Sequence, residues 1–189
     1  MTWKKIRLYF TTVVWVALGV GHIAHGESLS PQEYLVKAAF LYNFARFVEW
    51  PAGAFADDRT PVTFGILGKD PFGEIIESIR GKTVRDRELV IRRFVSMEEM
   101  EECHILFISQ SEHKRLARIF VKLKDWSVLT VGDMEKFAHR GGIINLIIVE
   151  GKVRLEVNVD VAKRSGLEIS SNLLKLARIV KSEQTGEKN

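Results

Sequence analysis

Short apolar runs alternate with amphipathic segments through the middle of this chain. Val62 to Leu67, Ile105 to Ser109 and Val128 to Val131 have the length and composition of buried strands, and Leu89 to Val95 is a fourth candidate. Polar or glycine positions follow these runs, and residues at helical spacing follow several of them. This repeated order of strand and helix predicts a mostly parallel sheet that helices cover on both faces.

The predicted helices between the strands have start and stop signals. Asp70 is a suitable N-cap for a helix that ends at Gly81. A second helix carries apolar residues at helical spacing from Leu116 to Leu123. Two shorter helical segments are predicted from Met97 to Glu102 and from Asp133 to Phe137.

The longest predicted helix lies near the start of the mature chain. Ser30 and Glu33 have the spacing of a capping box, and the helix is expected to end at Trp50, before a proline. Its apolar residues form two stripes. One stripe contains Val36, Ala39, Phe40, Asn43, Phe47 and Trp50, and the other contains Leu35, Ala38, Tyr42 and Ala45. One stripe packs on the core, and the second is either buried in a three-layer domain or forms an interaction surface.

The C-terminal part predicts a hairpin and a last helix. Ile143 to Val149 and Val153 to Val159 flank the tight turn at Glu150-Gly151-Lys152, which is typical of antiparallel strands. This hairpin is expected to add an antiparallel edge to the sheet. The last helix begins at Ser170-Ser171-Asn172, and its apolar positions are Leu173, Leu176, Ala177 and Val180.

The whole pattern predicts a single α/β domain of three layers, with a mostly parallel sheet flanked by helices and a C-terminal antiparallel hairpin. We expect this domain to span residues 27–180. A polar, disordered tail is expected over residues 181–189.

Residues 1–26 have the features of a cleavable signal peptide. Three basic residues precede the uncharged run from Leu8 to Val20, and Ala24-His25-Gly26 ends the segment. The run is shorter than the roughly 20 residues of a membrane-spanning helix, although an uncleaved anchor is the alternative. We expect cleavage between Gly26 and Glu27 and a periplasmic mature protein with no integral membrane span.

Removal of the signal peptide changes the charge balance of the protein. The full chain has 28 Lys and Arg, of which three lie in the leader, so 28 − 3 leaves 25 against 24 Asp and Glu. The mature protein is therefore nearly neutral, and its charge gives no reason to expect a nucleic-acid partner.

The chain contains one cysteine, Cys103, so it cannot form an intramolecular disulfide. Cys103 begins an apolar run, which favours a small buried thiol over a reactive one. The alternative is a thiol that joins two chains.

No catalytic or cofactor-binding motif is present. The sequence has no G-x-S-x-G, G-x-G-x-x-G or C-x-x-C pattern, and the segment from Gly65 to Gly73 lacks the GK[ST] ending of a phosphate loop. The mature chain has three histidines, His104, His113 and His139, whose spacing matches no compact zinc site. We therefore expect a protein that is not an enzyme and that uses no cofactor or metal.

Three loops at predicted strand ends are candidates for a ligand site, because open α/β sheets bind ligands there. They contain Gly68, Lys69 and Asp70; Ser109 and Gln110; and Gly132 and Asp133. The alternative is that the glycines permit sharp turns and the aspartates cap helices. Lys69 is the residue that this alternative explains least.

The segment from Arg80 to Arg93 contains more basic than acidic residues. Such a segment is usually a solvated edge. The alternative is a surface for a protein partner with an acidic patch.

Several segments resemble the YfiR-like family of periplasmic regulators. The motif from Lys37 to Pro51 resembles the family's opening helix. Further similar motifs are Gly81 to Val84, Cys103 to Ser109, Val128 to Asp133, Gly141 to Leu146 and Ile169 to Leu174. Together they cover nearly all of the mature chain, in order.

The resemblance implies a repressor that binds the periplasmic part of an inner-membrane diguanylate cyclase, or of another membrane sensor, and lowers cyclic di-GMP signalling. It also implies a homodimer. The motif positions that it suggests for partner binding are Phe40, Asn43, Phe47 and Trp50. Related proteins often carry more cysteines, so redox control does not carry over to this chain. The second hypothesis is a periplasmic receptor for a small ligand that uses the strand-end loops.

Overall fold

The computed structural model describes residues 31–183. The predicted signal peptide, residues 1–26, lies outside the described residues, as do residues 27–30 and 184–189. None of the described helices is both long and apolar enough to cross a membrane.

The described chain forms one large sheet and a two-stranded ribbon, with helices between the strands. The α-helices are α1 (Pro31–Phe47), α2 (Leu116–Lys122), α3 (Val159–Arg164) and α4 (Ser171–Leu174). Two 3₁₀ helices span Gly73–Ile79 and Gln110–Glu112. The strands are β1 (Val48–Glu49), β2 (Val62–Leu67), β3 (Thr83–Val84), β4 (Arg87–Phe94), β5 (Ile105–Ile108), β6 (Leu129–Gly132), β7 (Ile144–Val149), β8 (Lys152–Val157), β9 (Glu168–Ile169) and β10 (Ala177–Ile179).

The large sheet has the strand order β10-β8-β7-β6-β5-β2-β4-β3. Neighbouring strands from β4 to β7 are parallel, whereas β7 and β8 form an antiparallel hairpin. Glu150 and Gly151 both have positive φ, as a two-residue type I′ turn requires. The mostly parallel sheet with a C-terminal hairpin confirms the predicted fold class.

Alternate residues of each central strand enter different cores, which produces three layers. Phe64 and Ile66 of β2 lie in the core beneath α1, together with Phe107 of β5. Leu106 and Ile108 of β5 point the other way, into the core beneath α2. Because side chains alternate along a strand, an uninterrupted apolar run fills both cores at once.

A column of aromatic rings connects α1 to the centre of the sheet. The ring of Tyr34 contacts Phe72 edge-on, with centroids 5.2 Å apart, and Phe72 contacts Phe107 in the same manner at 4.8 Å. Such edge-to-face pairs add specific geometry to the burial of apolar area. The N-terminal half of α1 therefore lies over the carboxyl ends of the parallel strands.

Four predicted helical segments were wrong in extent or type. The segment predicted as a helix from Asp70 to Gly81 is a 3₁₀ helix over Gly73–Ile79. The first helix ends at Phe47 rather than Trp50, because Val48 and Glu49 pair with the ribbon strand β9. Residues 97–102 and 133–137 form turns and irregular structure instead of helices.

The prediction for the C-terminal part was also partly wrong. The helix from Ser170 stops at Leu174, and Ala177–Ile179 pairs with β8 as a parallel strand. The hairpin is therefore not the edge of the sheet, because β10 lies outside it. Main-chain hydrogen bonding also continues past the predicted start of the tail, since the N–H of Glu183 donates to the carbonyl of His139.

The absence of side chains at Gly132 and Gly142 provides the space for the Phe137 ring. A Cβ placed on Gly142 would lie 2.2 Å from the Cε1 atom of Phe137, and one on Gly132 would lie 2.7 Å from the same ring. Both distances are far below van der Waals contact. These positions depend on the absence of a side chain rather than on glycine's backbone freedom.

We predict that Gly142→Ala lowers the free energy of unfolding by about 1–3 kcal/mol, because the added methyl overpacks the core. Urea denaturation followed by circular dichroism measures this change. The effect should shrink in a chain that also carries Phe137→Leu, because the smaller side chain relieves the clash. Additive effects of the two substitutions would show that the methyl group does not meet the ring.

Candidate functional site

Helix α1 has a buried face and an exposed apolar face. The buried side chains are Tyr34, Lys37, Ala38, Leu41, Phe44 and Ala45. On the other side, Leu35 is 55% exposed and Val36 is 41% exposed, and Ala39 is also exposed. Phe40, Asn43 and Phe47 continue this side as half-buried residues. We call Leu35, Val36, Ala39, Phe40, Asn43 and Phe47 the outer stripe of α1.

Three of the four predicted partner-binding residues belong to the outer stripe. Phe40 stacks on the buried Phe44, with ring centroids 6.1 Å apart. The Asn43 amide donates to the main-chain carbonyl of Ala39 at 2.9 Å, so its own helix already satisfies one of its donors. Phe47 packs partly against the core.

Trp50 does not belong to the outer stripe, because α1 has ended before it. Its indole N–H donates to the carbonyl of His104 at 3.3 Å, and its ring contacts Phe55 and His104 edge-on. The structure therefore separates Trp50 from Phe40, Asn43 and Phe47.

A buried ion pair fixes how α1 sits on the sheet. The ammonium of Lys37 lies 2.6 Å from an Asp133 carboxylate oxygen and 2.5 Å from the Glu33 carboxylate. The side chains of Lys37 and Asp133 are only 3% and 4% exposed. Asp133 directly follows β6, so the pair joins α1 to the carboxyl end of the central sheet. This contact turns the outer stripe away from the core.

Tyr34 supports the same pair. Its hydroxyl donates to Asp133 at 3.1 Å, and the Lys37 ammonium lies 4.5 Å from the centroid of its ring. Burial raises the pKa of Tyr34, and the negative charge of Asp133 raises it further. The phenol therefore remains a neutral donor at any pH in which the protein works.

The predicted ligand loops lie at the carboxyl edge of the sheet, but their polar groups serve internal contacts. One oxygen of Asp70 accepts from the main-chain N–H groups of Phe72 and Gly73, and the other pairs with Arg93 at 2.8 Å. The Asp133 carboxylate pairs with the Lys37 ammonium and accepts a hydrogen bond from the Tyr34 hydroxyl. The side chain of Lys69 is exposed.

The first two loops also pack directly against each other. A Cβ on Gly68 would lie 2.4 Å from the Ser111 hydroxyl, and the main-chain N–H of Lys69 donates to that hydroxyl at 3.0 Å. Ser109 is buried and its hydroxyl accepts from Ser111, whereas Gln110 is exposed. Gly132 is covered by the ring of Phe137. The first two loops therefore lie in contact with each other, and the third packs against Phe137.

The basic segment from Arg80 to Arg93 meets acidic residues of other elements. Its ion pairs are Arg80–Glu77, Arg85–Glu49, Arg87–Asp58, Arg92–Glu101, Arg93–Asp70 and Arg93–Glu77. Because the folded chain supplies these partners, the local excess of positive charge does not form an unbalanced patch.

The thiol and the imidazoles do not form a reactive site. Burial raises the pKa of Cys103 to about 12, so its thiol stays protonated and unreactive near neutral pH. Among residues 31–183, no three His, Cys, Asp or Glu side chains converge as metal ligands.

The chain matches a family model described as YfiR/HmsC-like over residues 34–178, which confirms the resemblance in its motifs. The match includes nearly all of α1 and every strand of the large sheet except the last residue of β10. No curated protein matches the chain.

We predict that Lys37→Met lowers the free energy of unfolding by about 3–5 kcal/mol, because Asp133 then stays buried without a counter-charge. A chain with both Lys37→Met and Asp133→Asn should be more stable than the single variant, because the second substitution removes the stranded charge. Urea denaturation of the three chains gives the comparison. A double variant less stable than Lys37→Met alone would contradict this role of the pair.

Proposed function

The chain belongs to the YfiR/HmsC-like family, and we propose that it is a periplasmic, non-enzymatic repressor that binds an inner-membrane diguanylate cyclase through the outer stripe of α1. Binding to the periplasmic part of the cyclase lowers cyclic di-GMP synthesis on the other side of the membrane. The observation that carries this proposal is the exposure of apolar side chains along α1.

An exposed apolar stripe on a helix is a common recognition surface. Leu35 and Val36 lie one turn before Ala39 and Phe40, and Asn43 and Phe47 continue the same line. Helix-in-groove complexes use side chains with this i, i+3, i+4 and i+7 spacing as anchors. The exposed Arg46, seven residues after Ala39, lies beside the stripe near the C-terminal end of α1, so the apolar centre has a charged residue at its border, as interfaces commonly do.

Family membership supports the compartment and the mode of action. YfiR-like proteins are periplasmic and regulatory, which agrees with the signal peptide that we propose for residues 1–26. We further propose that the mature chain is a homodimer. The strand-end loops provide no comparable support for a small-ligand receptor, because Asp70, Asp133 and the Ser111 hydroxyl bond within the protein.

We predict that Val36→Glu relieves repression, because a carboxylate at the stripe's exposed centre must lose its water when the cyclase binds. The assay expresses the full chain together with a membrane diguanylate cyclase that has a periplasmic part and comes from the same genome. The dissociation constant for the cyclase should rise at least tenfold, since one buried unpaired charge costs more than about 1.4 kcal/mol. Cyclic di-GMP should therefore rise toward the level of cells without the repressor.

Val121→Glu is the matched control. Val121 is 75% exposed on α2, on the opposite face of the sheet, so the same substitution there should leave repression intact. Circular dichroism must show that both variants are folded. Equal repression by the two variants would contradict binding through the outer stripe.

A further inference from the structure

His104 holds two separate segments of main chain through its two ring nitrogens. Its Nδ1 atom accepts a hydrogen bond from the main-chain N–H of Thr63 at 3.0 Å. Its Nε2 atom lies 3.1 Å from the carbonyl of Ala54. Since a neutral imidazole has one donor and one acceptor, this pattern requires the tautomer with the proton on Nε2.

The segment held by Nε2 is the loop of residues 51–61, between β1 and β2. Phe55 of this loop stacks on the His104 ring, with centroids 4.1 Å apart and planes 12° from parallel. Arg87 of β4 holds the same loop, because its guanidinium donates to the carbonyls of Asp57 and Thr60 and lies 4.1 Å from the Phe55 ring. The imidazole of His104 and the guanidinium of Arg87 therefore both hold the loop in place.

The charged groups around the imidazole do not favour its protonation. Arg87 is a cation, and the two carboxylates of the loop bond to groups other than the imidazole. The Asp57 carboxylate accepts hydrogen bonds from the main-chain N–H groups of Arg59 and Thr60. A carboxylate oxygen of Asp58 lies 3.8 Å from a guanidinium nitrogen of Arg87. Glu49, at the end of β1, pairs with Arg85.

Protonation would break the arrangement at one defined atom. A proton on Nδ1 turns this acceptor into a donor that faces the N–H of Thr63, so two donors oppose each other. Burial lowers the pKa of His104, the hydrogen bond to the Ala54 carbonyl offsets part of this shift, and the charge of Arg87 lowers the pKa further. The closed loop is thus stable above the ordinary histidine pKa and loses stability as the pH falls through it.

We propose that His104 is a pH-sensitive latch. Its protonation displaces the ring from Thr63, and because the ring is rigid, the same displacement separates it from the Ala54 carbonyl and from Phe55, which releases the loop of residues 51–61. The periplasm is the compartment proposed for this chain, so the pH of the periplasm would determine whether the loop is open or closed. With an ordinary pKa of about 6.5 in the open loop, the ratio of open to closed loop rises about tenfold between pH 7.5 and pH 5.5.

Amide hydrogen exchange of the ¹⁵N-labelled, exported chain tests the latch directly. After correction for the intrinsic pH dependence of exchange, the protection of the Thr63 amide should fall about tenfold from pH 7.5 to pH 5.5. The amides of Phe107 and Val131 in the central strands should keep their protection. Because the chain is measured alone, the result does not depend on any partner.

His104→Gln supplies the variant without a titratable group, since a glutamine amide can accept from Thr63 and also donate. Its Thr63 protection should not depend on pH. His113→Gln is the matched control, because His113 is exposed and its loss should leave the pH dependence unchanged.

The ring ¹⁵N shifts of the wild-type chain give a second readout that needs no variant. They should show the Nε2–H tautomer of His104 at pH 7.5 and a titration midpoint below the ordinary histidine pKa of about 6.5, because the closed loop disfavours the second ring proton. Unchanged protection of Thr63, or a pH dependence that persists in His104→Gln, would overturn the latch. So would a titration midpoint of His104 at or above the ordinary histidine value.

Discussion

The buried pair of Lys37 and Asp133 determines which side of α1 faces solvent. Removing an ammonium and a carboxylate from water is costly, and the cost is offset here because Glu33 and the Tyr34 hydroxyl complete the bonding around them. A rotation of α1 about its axis would leave Asp133 buried without its cation. The helix therefore has one favourable orientation, and in that orientation the outer stripe points away from the protein.

The rest of the α1 layer is consistent with this orientation. The aromatic column from Tyr34 through Phe72 to Phe107 fills the space between helix and sheet. At the other end, Val48 leaves the helix to pair with Ile169. These contacts hold α1 at both ends and leave its outer side without a cover among residues 31–183. A rigid helix with an exposed apolar stripe can bind a partner with little loss of its own conformational freedom.

Local patterns in the sequence were sufficient for the central strands of the sheet but not for its edge strands β3 and β10. The apolar run from Val62 to Leu67 is a strand with those bounds, because a strand buried on both faces needs an apolar residue at nearly every position. The segment Ala177–Ile179 has apolar neighbours at helical spacing, yet pairing with β8 makes it a strand. Sheet pairing of this kind depends on distant residues, which a local pattern does not contain.

The candidate site shows the same limit. A helical wheel of apolar residues places Phe40, Asn43 and Phe47 on one stripe, as in the structure, but it gives no reason to bury Lys37. Glu33 is a local partner of Lys37, but the buried partner Asp133 lies 96 positions away, and nothing local connects it with Lys37. The contacts of His104 are equally distant in sequence, since Ala54 is 50 positions away and Thr63 is 41. Their roles could be recognised only after the fold had brought them together.

We propose that the outer stripe of α1 contacts a membrane diguanylate cyclase. Crosslinking in living cells tests this contact, with a photoreactive amino acid at position 36 and, for comparison, the same amino acid at position 121. We expect a crosslinked product that contains the cyclase from position 36 and none from position 121. A cyclase product from position 121 alone, in cells where repression is intact, would contradict it.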